Sequence, residues 1–220
     1  MVNKHLIERF QEATKREYFI KDVDSNFKLK FESYCIEQNY APNTIARLMK
    51  YIKTICYHAR TNKIETNHLL ESIKMDIQKV ENIYLTSDEI TLIENANLTD
   101  KDYLSNSRDW LLISCETGQR VSDFMRFTKE QIRYECGKPL IEFTQVKTGK
   151  IMTIPLSKRV INILEKRNGN FPRKISSQKY NDYVKEVCQL AKLTEQINGS
   201  RKNATTNRKE SGVFEKWQLV

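Results

Sequence analysis

Several features that mark common classes of protein are missing from this chain of 220 residues. No stretch approaches the roughly 18 consecutive apolar residues of a membrane-spanning helix, and the N-terminal segment MVNKHLIERFQEATK lacks the apolar run of a signal peptide. The sequence also has no internal repeat. We therefore expect a cytoplasmic protein with no membrane partner.

Motifs of several enzyme classes are missing as well. The chain has no GxxxxGK[ST] or GxGxxG loop for nucleotides and no GxSxG nucleophile elbow. Its histidines, His5, His58 and His68, form no HxxxH or HExxH pair, so a zinc hydrolase is not expected. The five cysteines never form a CxxC pair, which disfavours both disulfides and a Cys-rich zinc site. We expect reduced, mostly buried thiols, and no metal, nucleotide or other cofactor.

Basic residues are concentrated in the C-terminal part of the chain. Residues 140–220 contain 16 lysines and arginines against 7 acidic residues, whereas residues 1–139 contain 21 of each. The net charge of +9 therefore arises entirely in the second segment. Nucleic acid is the commonest partner of a soluble basic chain, because lysine and arginine displace counterions from phosphates. On charge alone, simple solubility is an equal alternative.

The first third of the chain has the apolar spacing of packed helices. Apolar residues recur at helical intervals through Phe27, Phe31, Tyr34, Cys35, Ile45, Leu48, Met49, Ile52, Ile55 and Cys56. Pro42 suits the first turn of the second helix. The opposite face of that helix carries Thr44, Arg47, Lys50, Lys53 and Tyr57. This basic face could lie along a DNA backbone, or it could simply be solvated.

A second helical region is predicted from residue 86 onwards. Thr86 and Glu89 form a capping box that begins a helix, and we place a domain boundary here, between residues 1–84 and 85–220. Residues 108–115 indicate a buried helix that Gly118 ends in the left-handed conformation. Another short helix, residues 121–127, follows at once, so Arg120 is predicted to lie at a helix N-terminus.

One β-hairpin is predicted. In PLIEFTQVKTGKIMTIPL, two runs rich in Ile, Val, Phe and Thr flank a turn at residues 147–150, where Gly149 supplies the turn conformation. Two further helices are predicted around Ile161 and Leu164 and around residues 180–190. The segment NGSRKNATTNRKESG is predicted to be a polar loop, followed by a short strand, VFEKWQLV. The fold class is mainly α with a small β-hairpin or sheet (α+β).

Three residues could perform chemistry on a phosphate. The guanidinium of Arg120 can grip two phosphate oxygens, and Asp123, three residues further on, can hold it in one orientation. Lys147 could donate a proton to a leaving oxygen, with Lys150 as a further basic contact. Taken alone, these residues are better explained as an ordinary Arg–Asp surface pair and a solubilising lysine.

Four segments in the same order resemble the tyrosine recombinases of the phage integrase family. YAPNTIARLMKYIKTICYHA resembles the helical, SAM-like core-binding domain, and YLTSDEI resembles the opening of the catalytic domain. RDWLLISCETGQRVSDFMRFT is similar to the box with the first catalytic arginine, here Arg120, with Asp123 in the supporting acidic position. QVKTGKIMTIPLS resembles the hairpin that presents the catalytic lysine, here Lys147. Gln119 stands where the family more often has an apolar residue, a difference expected to matter little for chemistry.

The resemblance implies a reaction and a partner. In this family a tyrosine attacks a phosphodiester of double-stranded DNA and forms a 3′-phosphotyrosyl link, without metal or nucleotide. Arginines and a histidine stabilise the charge on the phosphate, and the lysine protonates the departing 5′ oxygen. Family members act as tetramers on paired DNA sites.

The family's HxxR box and nucleophilic tyrosine have no counterpart here, because no histidine follows Arg120 and the last tyrosine is Tyr183. We therefore expect a monomeric recombinase fragment, with a partial catalytic domain, that binds DNA and is inactive alone. The alternative is a non-catalytic DNA-binding remnant of a recombinase, and an HxxR box encoded in frame after Val220 would favour the first interpretation. An RNA-directed protein has little support, because the aromatic residues lie mainly at core spacing.

Overall fold

The computed structural model describes residues 2–80, 82–203, 205–206 and 208–220, with the side chains described from residue 4 onwards. The chain forms two compact units. The first contains the described residues of ranges 1–81 and 202–210, and the second those of ranges 82–201 and 211–220. The predicted boundary between a domain of residues 1–84 and a domain of residues 85–220 stays a prediction.

The first unit is helical. Its helices are α1 (Val2–Thr14), α2 (Ser25–Glu37) and α3 (Pro42–Thr61). Asp24 begins α2, since its side chain accepts a hydrogen bond from the Phe27 amide over 2.8 Å. Pro42 occupies the first turn of α3, as predicted. The predicted apolar faces form the core together with α1, except that Ile55 is exposed and Tyr34 is only partly buried. The core residues are Leu6, Phe10, Val23, Phe27, Phe31, Cys35, Ile45, Leu48, Met49, Ile52, Cys56, Leu70 and Ile73.

Five helices build most of the second unit: α4 (Ser87–Glu94), α5 (Asp102–Thr117), α6 (Val121–Phe124), α7 (Lys158–Lys166) and α8 (Ser177–Leu190). The capping box that begins α4 is confirmed, with Thr86 and Glu89 exchanging hydrogen bonds of 3.3 and 2.7 Å. Gly118 ends α5 with φ of 63°, also as predicted. The core helix α5 is buried along most of its length, and Trp110 is only 1% exposed.

A three-stranded antiparallel sheet packs against these helices. Its strands are β1 (Ile132–Glu135), β2 (Lys138–Thr144) and β3 (Ile151–Pro155), in that order. The predicted hairpin is confirmed as β2 and β3, with Thr144 opposite Ile151 at the turn. Ile141 and Phe143 point into the core, which fixes the register because successive side chains alternate between the faces.

Three local predictions were wrong. The predicted polar loop is largely a second hairpin, made of β4 (Gln196–Lys202) and β5 (Lys209–Glu215), although Ala204 and Asn207 within that loop lie outside the described residues. The predicted C-terminal strand ends at Glu215, and a 3₁₀ turn follows. Helix α6 ends at Phe124 rather than at residue 127. The second hairpin is mostly solvent-exposed, so its strands lack the apolar alternation that marks half-buried strands.

The 3₁₀ turn Lys216–Gln218 docks by a buried ion pair. The Lys216 ammonium lies 2.7 and 2.8 Å from the two carboxylate oxygens of Glu89, and the two side chains are only 8% and 14% exposed. Glu89 therefore both caps α4 and holds the turn that follows β5.

The cysteines are unpaired, as predicted, and three of the five are buried. Cys35, Cys56 and Cys188 lie in the two cores, whereas Cys115 and Cys136 are exposed. Burial raises the pKa of Cys35 to about 11 and that of Cys188 to about 12. Among the described residues, no helix is both long and apolar enough to cross a membrane.

Candidate functional site

Arg120 lies at the junction of two helices in the second unit. It is the N-cap residue of α6, two residues after the glycine that ends α5, and its carbonyl accepts hydrogen bonds from the amides of Asp123 and Phe124. Its side chain is 51% exposed. The predicted position of Arg120 at a helix N-terminus is therefore confirmed, and its guanidinium is accessible to a ligand.

Asp123 links this arginine to the β2–β3 turn. Its side chain is fully buried, and its Oδ1 accepts a hydrogen bond of 2.8 Å from the amide of Val146, the residue before Lys147. Its Oδ2 lies 4.0 Å from Nη1 of Arg120 and accepts no hydrogen bond from any described residue. The carboxylate thus places negative charge behind the guanidinium while it fixes the backbone of the neighbouring turn.

Lys147 lies in the turn itself, three residues beyond the end of β2. The turn is closed by hydrogen bonds of 2.9 Å from the Gln145 amide to the Lys150 carbonyl and from the Gly149 amide to the Gln145 carbonyl. Gly149 has φ of 67°, which a residue with a side chain rarely adopts. The side chains of Lys147 and Lys150 are exposed. The fold therefore brings the Lys147 backbone beside Asp123 and the start of α6.

Two glutamines join the same two segments, and sequence reasoning missed both. Nε2 of Gln145 donates a hydrogen bond of 2.9 Å to Oε1 of Gln119, the residue before Arg120. Gln119 in turn donates to the Thr117 carbonyl over 3.1 Å, and Thr148 donates its hydroxyl to Gln145 over 2.7 Å. The only signal in the sequence was that Gln119 is polar where the resembled family is more often apolar.

The predicted basic face of α3 lies in the first unit, and its members differ in environment. Thr44, Arg47 and Lys50 are exposed. Lys53 is half-buried, and its ammonium donates hydrogen bonds of 3.2 and 2.8 Å to the carbonyls of Glu71 and Ile73. Three of these four residues can reach a ligand directly, whereas Lys53 fastens the segment that follows α3.

Part of the basic excess of residues 140–220 is neutralised within the fold. Arg159 pairs with Glu94 and Glu116, and Arg167 pairs with Asp109 over 2.8 Å. Burial lowers the pKa of Arg159, but its hydrogen bonds to the two glutamates outweigh burial and raise that pKa overall. The charge asymmetry of the sequence therefore overstates the charge that remains available to an anionic partner.

Comparisons with known proteins give consistent family matches. The model of the phage integrase family matches residues 83–213, and that of the phage integrase SAM-like domain matches residues 2–77. No curated protein matches the chain in sequence. The predicted fold class, a SAM-like helical domain followed by a mainly helical catalytic domain with a small sheet, is confirmed.

Solved structures with the same fold include two of lambda integrase. A dimer of its residues 75–356 bound to a COC′ core site has a TM-score of 0.67 at 16% identity, over 100% of this chain and 78% of that chain. A tetramer bound to a Holliday junction has a TM-score of 0.62 at 17% identity, over 100% and 63%. The XerH site-specific recombinase bound to difH substrate, a pre-cleavage complex, has a TM-score of 0.54 at 17% identity, over 87% and 62%. The chain thus spans less than two thirds of the last two.

Proposed function

Because the chain belongs to the phage integrase family of tyrosine recombinases, we propose that it binds double-stranded DNA as part of a site-specific recombinase. In this proposal Arg120 holds the non-bridging oxygens of the scissile phosphate, and Lys147 is the general acid for the departing 5′ oxygen. Asp123 keeps the guanidinium of Arg120 in one orientation.

One observation carries the proposal: Asp123 lies beside the Arg120 guanidinium and also binds the turn that contains Lys147. Its carboxylate lies behind the Arg120 guanidinium and accepts the hydrogen bond from Val146, next to Lys147. One buried acidic group thereby lies 4.0 Å from the Arg120 guanidinium and holds the backbone next to Lys147, 27 residues further along the sequence. Stabilisation of a phosphate in a transition state depends on donors that are fixed before the reaction begins, and this attachment supplies such fixation.

The exposed residues of α3 supply contacts to the DNA backbone in this proposal. Thr44, Arg47 and Lys50 can reach phosphates, and Lys150 adds a contact from the β2–β3 turn. The predicted DNA contact at Lys53 is weaker in this arrangement, because its ammonium is already bound by two backbone carbonyls.

Binding without cleavage is the proposed behaviour of these 220 residues by themselves. They contain no histidine after Arg120 and no tyrosine after Tyr183, so the nucleophile of the family pattern has no counterpart in them. Incubation with a nicked duplex should give a retarded complex but no covalent protein–DNA adduct on a denaturing gel. A covalent adduct would contradict this part of the proposal. We also expect the chain to be a monomer by analytical ultracentrifugation.

Measurements of DNA affinity test the proposed DNA binding and the proposed phosphate contacts of Arg120 and Lys147. Fluorescence anisotropy with a labelled random-sequence duplex should detect binding that weakens with salt, since each phosphate contact contributes about 0.9 to the slope of log K against log salt. Arg120→Ala and Lys147→Ala should each lower that slope by about 1. Lys138→Ala, at an exposed lysine that begins β2, is the matched control. Equal effects of all three substitutions would refute the proposed site. Equal affinity for duplex RNA would refute double-stranded DNA as the specific partner.

A further inference from the structure

The chain of hydrogen bonds through Gln119 and Gln145, here called the glutamine relay, has one fixed direction. It runs from the Thr148 hydroxyl through Gln145 and Gln119 to the Thr117 carbonyl. A backbone carbonyl can only accept, so Gln119 must present its NH₂ group to Thr117 and its oxygen to Gln145. Gln145 must then present its own NH₂ group to Gln119, which leaves its oxygen for the Thr148 hydroxyl. Each amide is therefore held in a single orientation.

The relay begins and ends on opposite sides of the candidate site. Thr117 is the last residue of α5, and Thr148 is the residue after Lys147. The two amides that connect them are half-buried, so water competes less for their hydrogen bonds than at a fully exposed position. An apolar residue at position 119 could pack there but could not fix the direction of a hydrogen bond.

The relay is the second attachment between the same two segments. The first is the hydrogen bond from the Val146 amide to Asp123. The Val146 bond alone ties the turn to the start of α6 at a single point. Two bonds, which start from Gln119 and Asp123 on either side of Arg120 and end on the two residues before Lys147, tie it at two points.

We propose that Gln119 and Gln145 are positioning residues that hold the Lys147 turn in register with Arg120, so that both cations reach the same phosphate group. This proposal rests on the proposed function, because it takes Arg120 and Lys147 as the phosphate-contacting pair. Neither glutamine touches the phosphate. Both act through the backbone that carries the two cations.

The experiment replaces each glutamine with leucine in the 220-residue chain. Gln119→Leu and Gln145→Leu keep the approximate size of the side chain and remove its hydrogen bonds. Gln178→Leu is the control, because Gln178 bonds only to Asp182 on the exposed face of α8 in the described structure. If Gln119→Leu fails to fold, Gln145→Leu provides the same test from the turn.

The first measurement is amide hydrogen exchange in the turn. Loss of a side-chain hydrogen bond should accelerate exchange at Gln145, Val146 and Gly149 by about fivefold, while the unfolding midpoint of the second unit changes little. Gln178→Leu should leave these amides unchanged. Unchanged exchange in both relay variants would overturn the proposal, as would equal acceleration in the control.

The second measurement is the coupling between Arg120→Ala and Lys147→Ala in affinity for duplex DNA, obtained from a double-mutant cycle. In the unmodified background we expect a coupling of about fivefold, and in the Gln119→Leu background we expect it to fall towards one. A merely structural role would lower stability without removing this coupling. Coupling that persists in Gln119→Leu overturns the relay and leaves the proposed function intact. No coupling in either background overturns the shared phosphate contact itself, and with it both proposals.

Discussion

The buried pair of Lys216 and Glu89 gives a quantitative test of how the second unit holds together. Lys216→Met keeps the length of the side chain and removes its charge. The Glu89 carboxylate, whose side chain is 14% exposed in the unmodified protein, then keeps Thr86 as its one hydrogen-bonding residue. Removal of one partner of a buried ion pair costs about 3 to 5 kcal/mol, because the remaining charge is desolvated and uncompensated. We take the lower figure, since Glu89 keeps this one donor.

The double variant separates the charge from the packing. In Lys216→Met with Glu89→Gln, no charge remains buried, and the glutamine oxygen can still accept from the Thr86 amide. The loss of stability should therefore shrink from about 3 kcal/mol in Lys216→Met to about 1 kcal/mol in the double variant. The corresponding shift of Tm in the single variant is about 10 °C for a unit of this size.

The pH dependence follows from the same contacts. Burial raises the pKa of Glu89, but the hydrogen bond from Lys216, the hydrogen bonds from Thr86 and the charge of Lys216 outweigh burial and hold that pKa below its usual 4.5. A carboxyl whose pKa is lower in the folded state stabilises fully above its unfolded pKa and loses this contribution as pH falls through the folded pKa. Lys216→Met removes the main lowering contact, so acid unfolding should begin at a higher pH than in the unmodified chain.

Tryptophan fluorescence makes the assay specific. Both tryptophans of the chain, Trp110 and Trp217, belong to the second unit, so their emission reports its unfolding in urea and not that of the first unit. The reasoning is refuted if Lys216→Met costs less than about 1 kcal/mol at pH 7, or if the double variant loses as much as the two single variants together.

Other substitutions test separate contacts. Asp123→Ala should destabilise the second unit by about 2 kcal/mol, because the Val146 amide loses its acceptor and the fully buried side chain leaves a cavity. Asp123→Asn should cost less than about 1 kcal/mol, and equal losses in urea unfolding would contradict this. Lys53→Met should lower the stability of the first unit by about 1 kcal/mol, measured by circular dichroism, with an unchanged salt slope for DNA binding. Arg47→Ala and Lys50→Ala should do the reverse, each lowering the slope by about 1 without a change in stability. Gly118→Ala should cost about 1 kcal/mol in urea, because α5 ends there with positive φ, and a neutral result would contradict that conformation.

Features encoded within a few residues could be predicted from the sequence. The helix start at Thr86 and Glu89 and the helix end at Gly118 depend on side chains that interact within one turn. The β2–β3 hairpin was visible because its strands are β-branched and half-buried. The hairpin of β4 and β5 was not, because its mostly exposed strands carry polar side chains that resemble those of a loop.

Contacts between distant segments could not be predicted in the same way. The bond from Val146 to Asp123 spans 23 residues and that from Gln145 to Gln119 spans 26, so no local pattern indicates them. Lys53 shows the related difficulty on a helix. Its spacing correctly placed it away from the apolar stripe, but its long side chain reaches carbonyls of a later segment. The residue types of the candidate site could be predicted, but their attachment to one another required the fold.

The distribution of the thiols has a practical consequence for labelling experiments. Thiolate is the reactive form, and with a pKa of about 11 only about one in ten thousand Cys35 side chains is ionised at neutral pH. Cys188 is still less ionised, and desolvation also raises the pKa of Cys56 and Cys115. Cys136, exposed in the turn between β1 and β2, is therefore the position at which a maleimide dye should attach first. A fluorophore can thus be directed to the turn between β1 and β2 in the unmodified chain, with Cys115 as the other exposed cysteine to be checked for labelling.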